Sequence, residues 1–485
     1  IEAMLAVSGK QADQVMQVDS LHALAELNLQ TDVKKALEPA ESSYKISQKI
    51  DDLPRLAKSA ILIGRYYFRY YEFHQSIRYY EEAVQIARKA GLKYELLDYL
   101  RYLAAAQHTL GQIEAKIATA LEAVDLSNVL NDPRSIVLGK RLLAMAYHAE
   151  GRYEEGLSLC QTAVKMAREI GDLEQEFETL NILAWNLDGL GRWEEEEKIY
   201  QKMIQDFDIY DFHRVIVALN NLVNLHVTLG EYEENHALVS SLMEKARHSG
   251  NENIQFFLAV HYDAACSRLG KFQEGLNELE NVWPCVDKSM NQIAKSFILS
   301  RLGVSSGLAG DFKAAALYVE KSQILSEELE DSINKADVWV NCAHTSLING
   351  QPKILKEGLD QIECGLAIML RLGIVDNWFA YCVKAGIHLA LLSEDTSHAN
   401  KALAAIEEAL RIFDDYPVGW GTFELLFFTA SQAYRANGLL EEADTYLHKA
   451  YERVMLIAGK IQDDDLRKSF LENVPENRGI LKEAE

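Results

Sequence analysis

Proline is scarce in this sequence, with seven residues in a chain of 485. Because proline breaks helix interiors and is common in the turns of β-sandwiches, its scarcity favours an all-α fold. Long hydrophobic runs are missing too, since no stretch reaches the roughly 18 consecutive apolar residues of a membrane span. The chain also has no basic-plus-apolar secretory leader. We therefore expect no membrane association and a cytoplasmic location.

Sequence motifs for catalysis and for metal binding are equally missing. The six cysteines are scattered and form no CxxC pair, which favours reduced thiols over a disulfide framework. No GxxxxGK[ST] loop, HExxH motif or paired Cys/His spacing occurs. The sequence therefore predicts a protein that is not an enzyme, with no catalytic residues, no metal and no cofactor.

Basic residues are outnumbered, with 49 Lys and Arg against 73 Asp and Glu, which gives a formal net charge of −24. Nucleic acids and anionic membranes repel a strongly acidic surface, so bulk binding to either is excluded as an expectation. The chain is 48% hydrophobic and 25% charged, which is typical of globular proteins rather than disordered ones.

A repeat of about 40 residues runs through the sequence. Its turns carry a small residue followed two positions later by an aromatic or apolar residue, as in Gly151-Arg-Tyr153. The glycines of this series are Gly111, Gly151, Gly191, Gly230, Gly270 and Gly310, and the grid extends to Tyr71-Glu-Phe73, Gly350 and Gly438. A second set of helix breakers lies between them, at Gly91, Asp132, Gly171, Asp211, Gly250, Asp331 and Gly373. Two breakers per repeat predict two helices per repeat.

Small residues at fixed places predict how these helices pack. Seven residues before the turns lie Gly64, Ala104, Ala144, Ala184 and Gly303. Twelve residues after the turns lie Ala83, Ala123, Ala163 and Ala450. Such residues let two helices approach closely, so we predict an α-α superhelix of about eleven antiparallel helix pairs over residues 20–455. Residues 1–19 are predicted to contain the end of a preceding helix, and residues 456–485 a polar capping segment.

These turn and alanine positions resemble the tetratricopeptide repeat (TPR) superfamily. The segments "AYHAEGRYEEGLSLCQTAVKMAREIGD" (146–172) and "NNLVNLHVTLGEYEE" (220–234) carry the pattern most fully. The period exceeds the usual 34 residues, so the chain is similar to long-period arrays: kinesin light chains, LGN-like adaptors and the sensor regions of bacterial MalT-type STAND regulators. The resemblance implies a solenoid whose first helices line a concave, ligand-binding groove.

On the groove face of the first helices, the resemblance implies a set of ligand-contacting candidates. They are Lys58, Arg65, Arg101, Tyr102, Arg141, Asn181, Trp185, Asn220, Asn221, Asn224, His261, Arg301, Asn341 and His344. Arginine offers a fork for carboxylates, and asparagine offers a donor and an acceptor to a peptide backbone. The acidic members of this face are Asp98, Glu178 and Asp337. Because basic residues outnumber acidic ones here, we expect a protein or peptide partner, with an acidic segment as one possibility.

Each candidate also has a purely structural interpretation. The arginines can pair with Asp98 and Glu178, the asparagines can bridge neighbouring repeats, and Tyr102 and Trp185 can serve packing. His261 and His344 can be ordinary polar helix residues, and the acid run 194–197 is expected to be a solvated turn.

Three functions fit these features. The first is a peptide-binding scaffold or sensor arm of a signalling system. The second is the ligand-sensing region of an NTPase-coupled, STAND-type transcription or defence regulator, with an effector domain elsewhere in a longer chain. The third is a regulatory partner that restrains a protease or nuclease.

Overall fold

The computed structural model describes residues 11–31, 33–70, 72–206, 212–249, 252–288, 292–329, 332–372, 374, 377–415 and 421–484. All regular secondary structure in these ranges is helical, which confirms the predicted all-α solenoid class. The chain divides into two compact units, Ile1–Asp206 (unit 1) and Phe207–Glu485 (unit 2). None of the described helices is both long enough and apolar enough to cross a lipid bilayer.

Unit 1 is a succession of α-helices joined by short turns. They are α1 (Gln11–Thr31), α2 (Leu37–Lys49), α3 (Leu53–Arg69), α4 (Phe73–Ala90), α5 (Lys93–Thr109), α6 (Ile113–Leu130), α7 (Pro133–Ala149), α8 (Tyr153–Glu169), α9 (Leu173–Gly189) and α10 (Trp193–Asp206). A 3₁₀ helix, Val33–Lys35, follows α1. Odd-numbered helices are the first helices of the repeats, and even-numbered helices are the second.

Unit 2 continues the same alternation and then adds two short helices. They are α11 (Phe212–Leu229), α12 (Tyr232–Ser249), α13 (Glu252–Arg268), α14 (Phe272–Lys288), α15 (Gln292–Leu308), α16 (Phe312–Glu327), α17 (Ile333–Asn349), α18 (Pro352–Leu372), α19 (Trp378–Ala390), α20 (His398–Asp415), α21 (Phe423–Ala436), α22 (Leu440–Lys460), α23 (Asp464–Glu472) and α24 (Pro475–Ala484).

The helices end and begin where the sequence breakers lie. Each turn glycine from Gly111 to Gly350, and also Gly438, has a positive φ, the left-handed conformation that glycine adopts without steric cost. Asn131 takes this role at the end of α6, with φ of 53°. The next helix then starts with an acidic cap: Asp132 accepts a hydrogen bond from the Ser135 amide at 3.0 Å. These local signals explain why the repeat grid survives intact in the fold.

The small residues lie at helix contacts, as predicted. Ala104, Ala144 and Ala184 in the first helices are fully buried. The second-helix set is fully buried as well: Ala83, Ala123, Ala163 and Ala450. At Gly64 a Cβ atom would lie 2.5 Å from the Tyr80 ring, so only glycine fits between α3 and α4. These contacts are the close helix approaches that the spacing predicts.

The last helices of unit 2 return to its first helices. Val454, Ile457 and Phe470 share one apolar cluster with Val227 and Tyr232. Polar contacts accompany this packing. Arg453 Nη2 donates to the Val227 carbonyl at 2.6 Å, Lys460 Nζ donates to the Leu229 carbonyl at 2.9 Å, and Asn473 Nδ2 donates to the Gly270 carbonyl at 3.4 Å. Helices of unit 2 that are more than 200 residues apart in the sequence are therefore in direct contact.

Two predicted boundaries fall inside helices. The position 19/20 lies within α1, and the position 455/456 lies within α22. Residues 1–10, Tyr71, Asp211, Gly250, Asp331 and Gly373 lie outside the described residues. Beyond residue 460, Asp463 caps the start of α23, and its carboxylate accepts from the backbone amides of Asp465 and Leu466.

Candidate functional site

A polar cleft of about 320 Å³ lies across three successive first helices of unit 1. It is lined by the amino-terminal halves of α5, α7 and α9. The lining residues are Tyr94, Leu97, Asp98, Arg101, Arg134, Ser135, Leu138, Arg141, Glu174, Gln175 and Glu178. The cleft brings two predicted site residues, Arg101 and Arg141, to one place. The sequence pattern did not include Arg134, which lies two turns before Arg141, at the start of α7.

The arginines of this cleft each lie near a carboxylate. Arg101 Nη2 lies 2.8 Å from Asp98 Oδ1, and Arg134 Nε lies 3.0 Å from Asp172 Oδ2. Arg141 Nη1 is 3.8 Å from Glu178 Oε2, which is beyond hydrogen-bond distance. The structural interpretation of Asp98 and Glu178 as partners of the arginines is therefore confirmed at the level of ion pairs.

Arg141 is the most buried cation of the cleft. It is 6% exposed, and its buried Nη1 makes no hydrogen bond. Burial lowers the pKa of Arg141, and the nearby Glu178 opposes this shift. An arginine side chain nevertheless stays charged in proteins, so the site holds a buried positive charge with a distant counter-charge. Such a group can donate a hydrogen bond to an additional carboxylate or phosphate oxygen.

The other unit 1 candidates lie along the same helix faces, outside this cleft. Lys58 Nζ pairs with Glu26 at 3.2 Å, and the Arg65 guanidinium lies 5.5 Å from the centre of the Tyr102 ring. Asn181 is 9% exposed. Trp185 stacks on His108, with ring centres 5.8 Å apart. Tyr102 and Trp185 thus make the packing contacts that their structural interpretation expects.

A buried polar group accompanies Trp185. The indole also lies 6.1 Å from the His148 ring, and Lys116 Nζ is 3.1 Å from His108 Nδ1. Burial, with Lys116 nearby, lowers the pKa of both histidines to about 4, and burial lowers that of Lys116 to about 8. Lys116 itself is 1% exposed, so it cannot reach a ligand in solution.

The unit 2 candidates are distributed between two environments. Asn220, Asn221 and Asn224 are half-buried on α11. The His261 ring packs on Phe257 with centres 4.4 Å apart, and Asn341 Nδ2 donates to Ser300 Oγ at 3.1 Å. Arg301 and His344 instead line a large cavity.

This cavity of about 730 Å³ is lined by residues of unit 2 alone. The carboxyl-terminal halves of the first helices α13, α15, α17 and α19 form one side, and α21 with α24 forms the other. Arg301 is bound through its guanidinium to the buried Asp263 carboxylate, and the His344 ring meets Phe379 edge-on at 5.3 Å. Sequence analysis missed two further polar residues, Arg268 and Glu476. Arg268 lies two residues before the turn glycine of its repeat. The next two repeats have the apolar residues Leu308 and Ile348 at this position, so a charged residue here was the available signal.

One trio of side chains in unit 2 has metal-ligand chemistry. Ligand atoms of His236, Cys266 and Glu274 all lie within 4.8 Å of one another. Burial lowers the pKa of His236 and raises that of the Cys266 thiol well above its ordinary value. Because a metal binds the thiolate, this burial opposes ligation at Cys266. We therefore assign the trio no metal.

The acid run 194–197 is less solvated than its sequence suggests. Glu196 is 5% exposed, and its Oε2 atom makes no hydrogen bond. Burial, with Asp188 adding repulsion, raises its pKa to about 8. The expectation of a solvated turn is wrong at this residue, because Glu196 lies on the buried face of α10.

Comparisons with known proteins agree with this architecture. Residues 136–205 match the tetratricopeptide repeat family model, which confirms the resemblance to that superfamily. No curated protein matches the chain.

Solved structures that resemble the chain do so at low identity. Kinesin light chain TPR-like repeats from Podosopora anserina are 21% identical, with 38% of this chain and 92% of that chain covered and a TM-score of 0.33. A Rap protein complexed with competence and sporulation factor is 14% identical, with 66% and 88% covered and a TM-score of 0.45. The APC/C Cut9–Hcn1 hetero-tetramer is 14% identical, with 100% and 92% covered and a TM-score of 0.39.

Proposed function

We propose that this chain of tetratricopeptide repeats binds an acidic peptide segment of a partner protein along the first helices of unit 1. A repeat scaffold of this kind is typical of protein–protein interaction. The acidic nature of the guest and its place on α5, α7 and α9 are our proposal, as is a binding role instead of a catalytic one.

Arg141 is the observation that carries this proposal. Its buried guanidinium has a donor without a hydrogen bond, and Glu178 lies 3.8 Å away. The side chains of Asp98 and Glu178 are 48% and 51% exposed, so both can turn into water without losing solvation. Exposed ion pairs contribute only about 0–1 kcal/mol. A peptide carboxylate can therefore replace them at small cost and gain contacts to Arg101 and Arg141.

The same contacts suggest a role as the sensor arm of a signalling system. A peptide that touches α5, α7 and α9 together holds three consecutive repeats at one spacing. Because small changes between repeats add along an array, the ligand would favour one curvature of unit 1 over others. Binding would then be passed to whatever part of a larger assembly follows the repeats.

The proposal is tested with peptides selected from a random twelve-residue display library on the full chain. We expect the recovered peptides to be enriched in Asp and Glu. The tightest peptide should bind the Arg101→Met/Arg141→Met variant at least tenfold more weakly, because a hydrogen bond to a charged group contributes about 1.5–3 kcal/mol. Affinity should also fall as salt is added.

Arg192→Met is the matched control. Arg192 is half-exposed in the turn before α10 and pairs with Glu195 at 2.8 Å, outside the cleft. It should leave peptide affinity unchanged. Arg101→Met alone removes a partly exposed cation and guards against misfolding of the double variant. Recovered peptides without acidic enrichment, or equal affinity of wild type and Arg101→Met, would overturn the proposal.

A further inference from the structure

The large cavity of unit 2 has the size and the composition of a small-molecule site. Its volume of about 730 Å³ falls inside the roughly 300–1,000 Å³ typical of ligand pockets. Most of the wall is apolar, with Leu308, Ile348, Phe379 and Leu389 among the lining residues. An apolar wall of this kind favours a hydrocarbon group over a polar one.

The described charged residues that line the cavity are paired or neutralised, with one exception. Arg301 is held by Asp263, and Arg435 Nη1 lies 2.8 Å from Glu483. Burial raises the pKa of Glu476 to about 7, so this carboxyl group retains its proton for much of the time at neutral pH. Only Arg268 is left to account for.

Arg268 is a buried cation without a matched anion. It is 8% exposed, and its Nε and Nη1 atoms make no hydrogen bond within the described residues. Glu424 and Asp263 are the acids that act on it electrostatically. The Glu424 carboxylate accepts the Tyr232 hydroxyl hydrogen bond at 2.9 Å and has its pKa raised by burial, and Asp263 is bound to Arg301. A buried charge with unsatisfied donors is costly, and an anion in the cavity beside the Arg268 guanidinium would relieve that cost.

We propose that this cavity binds a small aliphatic carboxylate, with the carboxylate on Arg268 and the hydrocarbon chain along Leu308, Ile348 and Phe379. The site is separate from the cleft of unit 1 and goes beyond the function proposed above. An apolar chain matches the wall, and a single negative charge matches Arg268, the cation of the cavity that forms no salt bridge with a described residue. A dianion or a cation fits the charge balance less well.

Decanoate is the probe, titrated calorimetrically into the full chain. We expect one site per chain, and we expect decanoate to bind at least tenfold more tightly than decanol, which has the same hydrocarbon chain without the charge. In the Arg268→Met variant the preference for decanoate over decanol should disappear. This ratio reports the charge contact separately from any general loosening of the cavity.

Two further variants keep the test decisive. Ile348→Trp fills the cavity and should weaken decanoate and decanol alike by tenfold or more. Arg247→Met is the control, because Arg247 is 56% exposed, pairs with Glu278 and does not line the cavity. It should bind as wild type does. Equal affinity for decanoate and decanol in the wild type, unchanged binding in Ile348→Trp, or no binding of decanoate at millimolar concentration would each overturn the proposal.

Discussion

Buried ionisable side chains are the residues of this fold that depart most from their solution behaviour. Glu196 illustrates this, because its neighbours Glu194, Glu195 and Glu197 look identical to it in the sequence. Glu196 is the buried member of this run, and burial raises its pKa to about 8. In the unfolded chain a glutamate ionises near its ordinary pKa of about 4.3.

The Glu196→Gln variant should therefore be more stable than the wild type at alkaline pH. A raised folded-state pKa gives stability that is present at low pH and is lost as the pH rises toward 8. Gln cannot ionise, so the gain should be small at pH 5 and on the order of 3 kcal/mol at pH 8. Thermal unfolding of both proteins at the two pH values measures this.

Glu195→Gln is the control for this residue. The Glu195 carboxylate pairs with Arg192 at 2.8 Å and lies on the exposed side of α10, and this pairing lowers its pKa. Its replacement should not stabilise the protein at any pH. A gain in Glu196→Gln that is the same at pH 5 and pH 8 would contradict the burial argument.

Turn glycines at equivalent positions of the repeat can have different structural roles. Gly270 and Gly350 have nearly equal φ angles, 71° and 73°. A Cβ at Gly350 would meet nothing within 4 Å, whereas at Gly270 it would lie 2.7 Å from the Ser469 carbonyl oxygen and 2.8 Å from Asn473 Cβ. Gly350 only ends a helix, while Gly270 also admits α23.

Alanine at these two positions should separate the roles. Gly350→Ala should destabilise the fold only by the strain of a left-handed backbone, about 1–2 kcal/mol. Gly270→Ala adds overpacking, typically about 1–3 kcal/mol, and should loosen α23 from the turn. We expect a larger drop in melting temperature for Gly270→Ala, together with faster proteolysis between residues 461 and 475. Equal melting temperatures and equal cleavage would show that the contact at Gly270 contributes nothing.

Elements were predictable from the sequence where their signals are local. Glycine at a left-handed turn, an acidic cap such as Asp132 and an alanine at a helix contact each act within a few residues, so the spacing alone locates the helices. The return of α22 to α11 joins residues more than 220 positions apart, as in Arg453 with Val227. No periodic pattern contains such a pairing, so it could not be read from the repeat.

The same distinction applies to the candidate sites. Arg101 and Arg141 occupy equivalent positions of neighbouring repeats, and periodicity was enough to bring them to one cleft. Arg268 lies at a position that is apolar in the next two repeats, so the periodic face excluded it. Its importance appears only when α24 closes the cavity around it, which depends on tertiary packing.

At the scale of the whole molecule, the C-terminal helices decide whether unit 2 keeps its inner surface from water. Phe470, Val474 and Ile480 of the C-terminal helices are buried. They belong to one apolar cluster with Val227, Tyr232 and Leu269. A chain that ends at residue 439 lacks α22, α23 and α24. It therefore exposes the apolar side chains of α11, α12 and α21 that these helices cover.

Truncation after residue 439 should unfold or loosen unit 2 while unit 1 stays resistant. Unit 1 has apolar clusters built from its own helices, such as the one that contains Ala25, Leu29, Leu62 and Ile63, so its cleavage sites should remain protected. We expect stronger binding of a hydrophobic dye and rapid proteolysis within residues 212–436, with the cleavage sites located by mass spectrometry of the fragments.

The Arg453→Met/Lys460→Met variant keeps the apolar contacts of α22 and removes its polar ones. These are the hydrogen bonds to the Val227 and Leu229 carbonyls, the ion pair of Lys460 with Glu231 and the contact of Arg453 with the Phe423 ring. It should bind less dye than the truncated chain, because apolar burial contributes more than these net hydrogen bonds. If the truncated chain resists protease as the full chain does, the return of α22 to α11 does not stabilise unit 2.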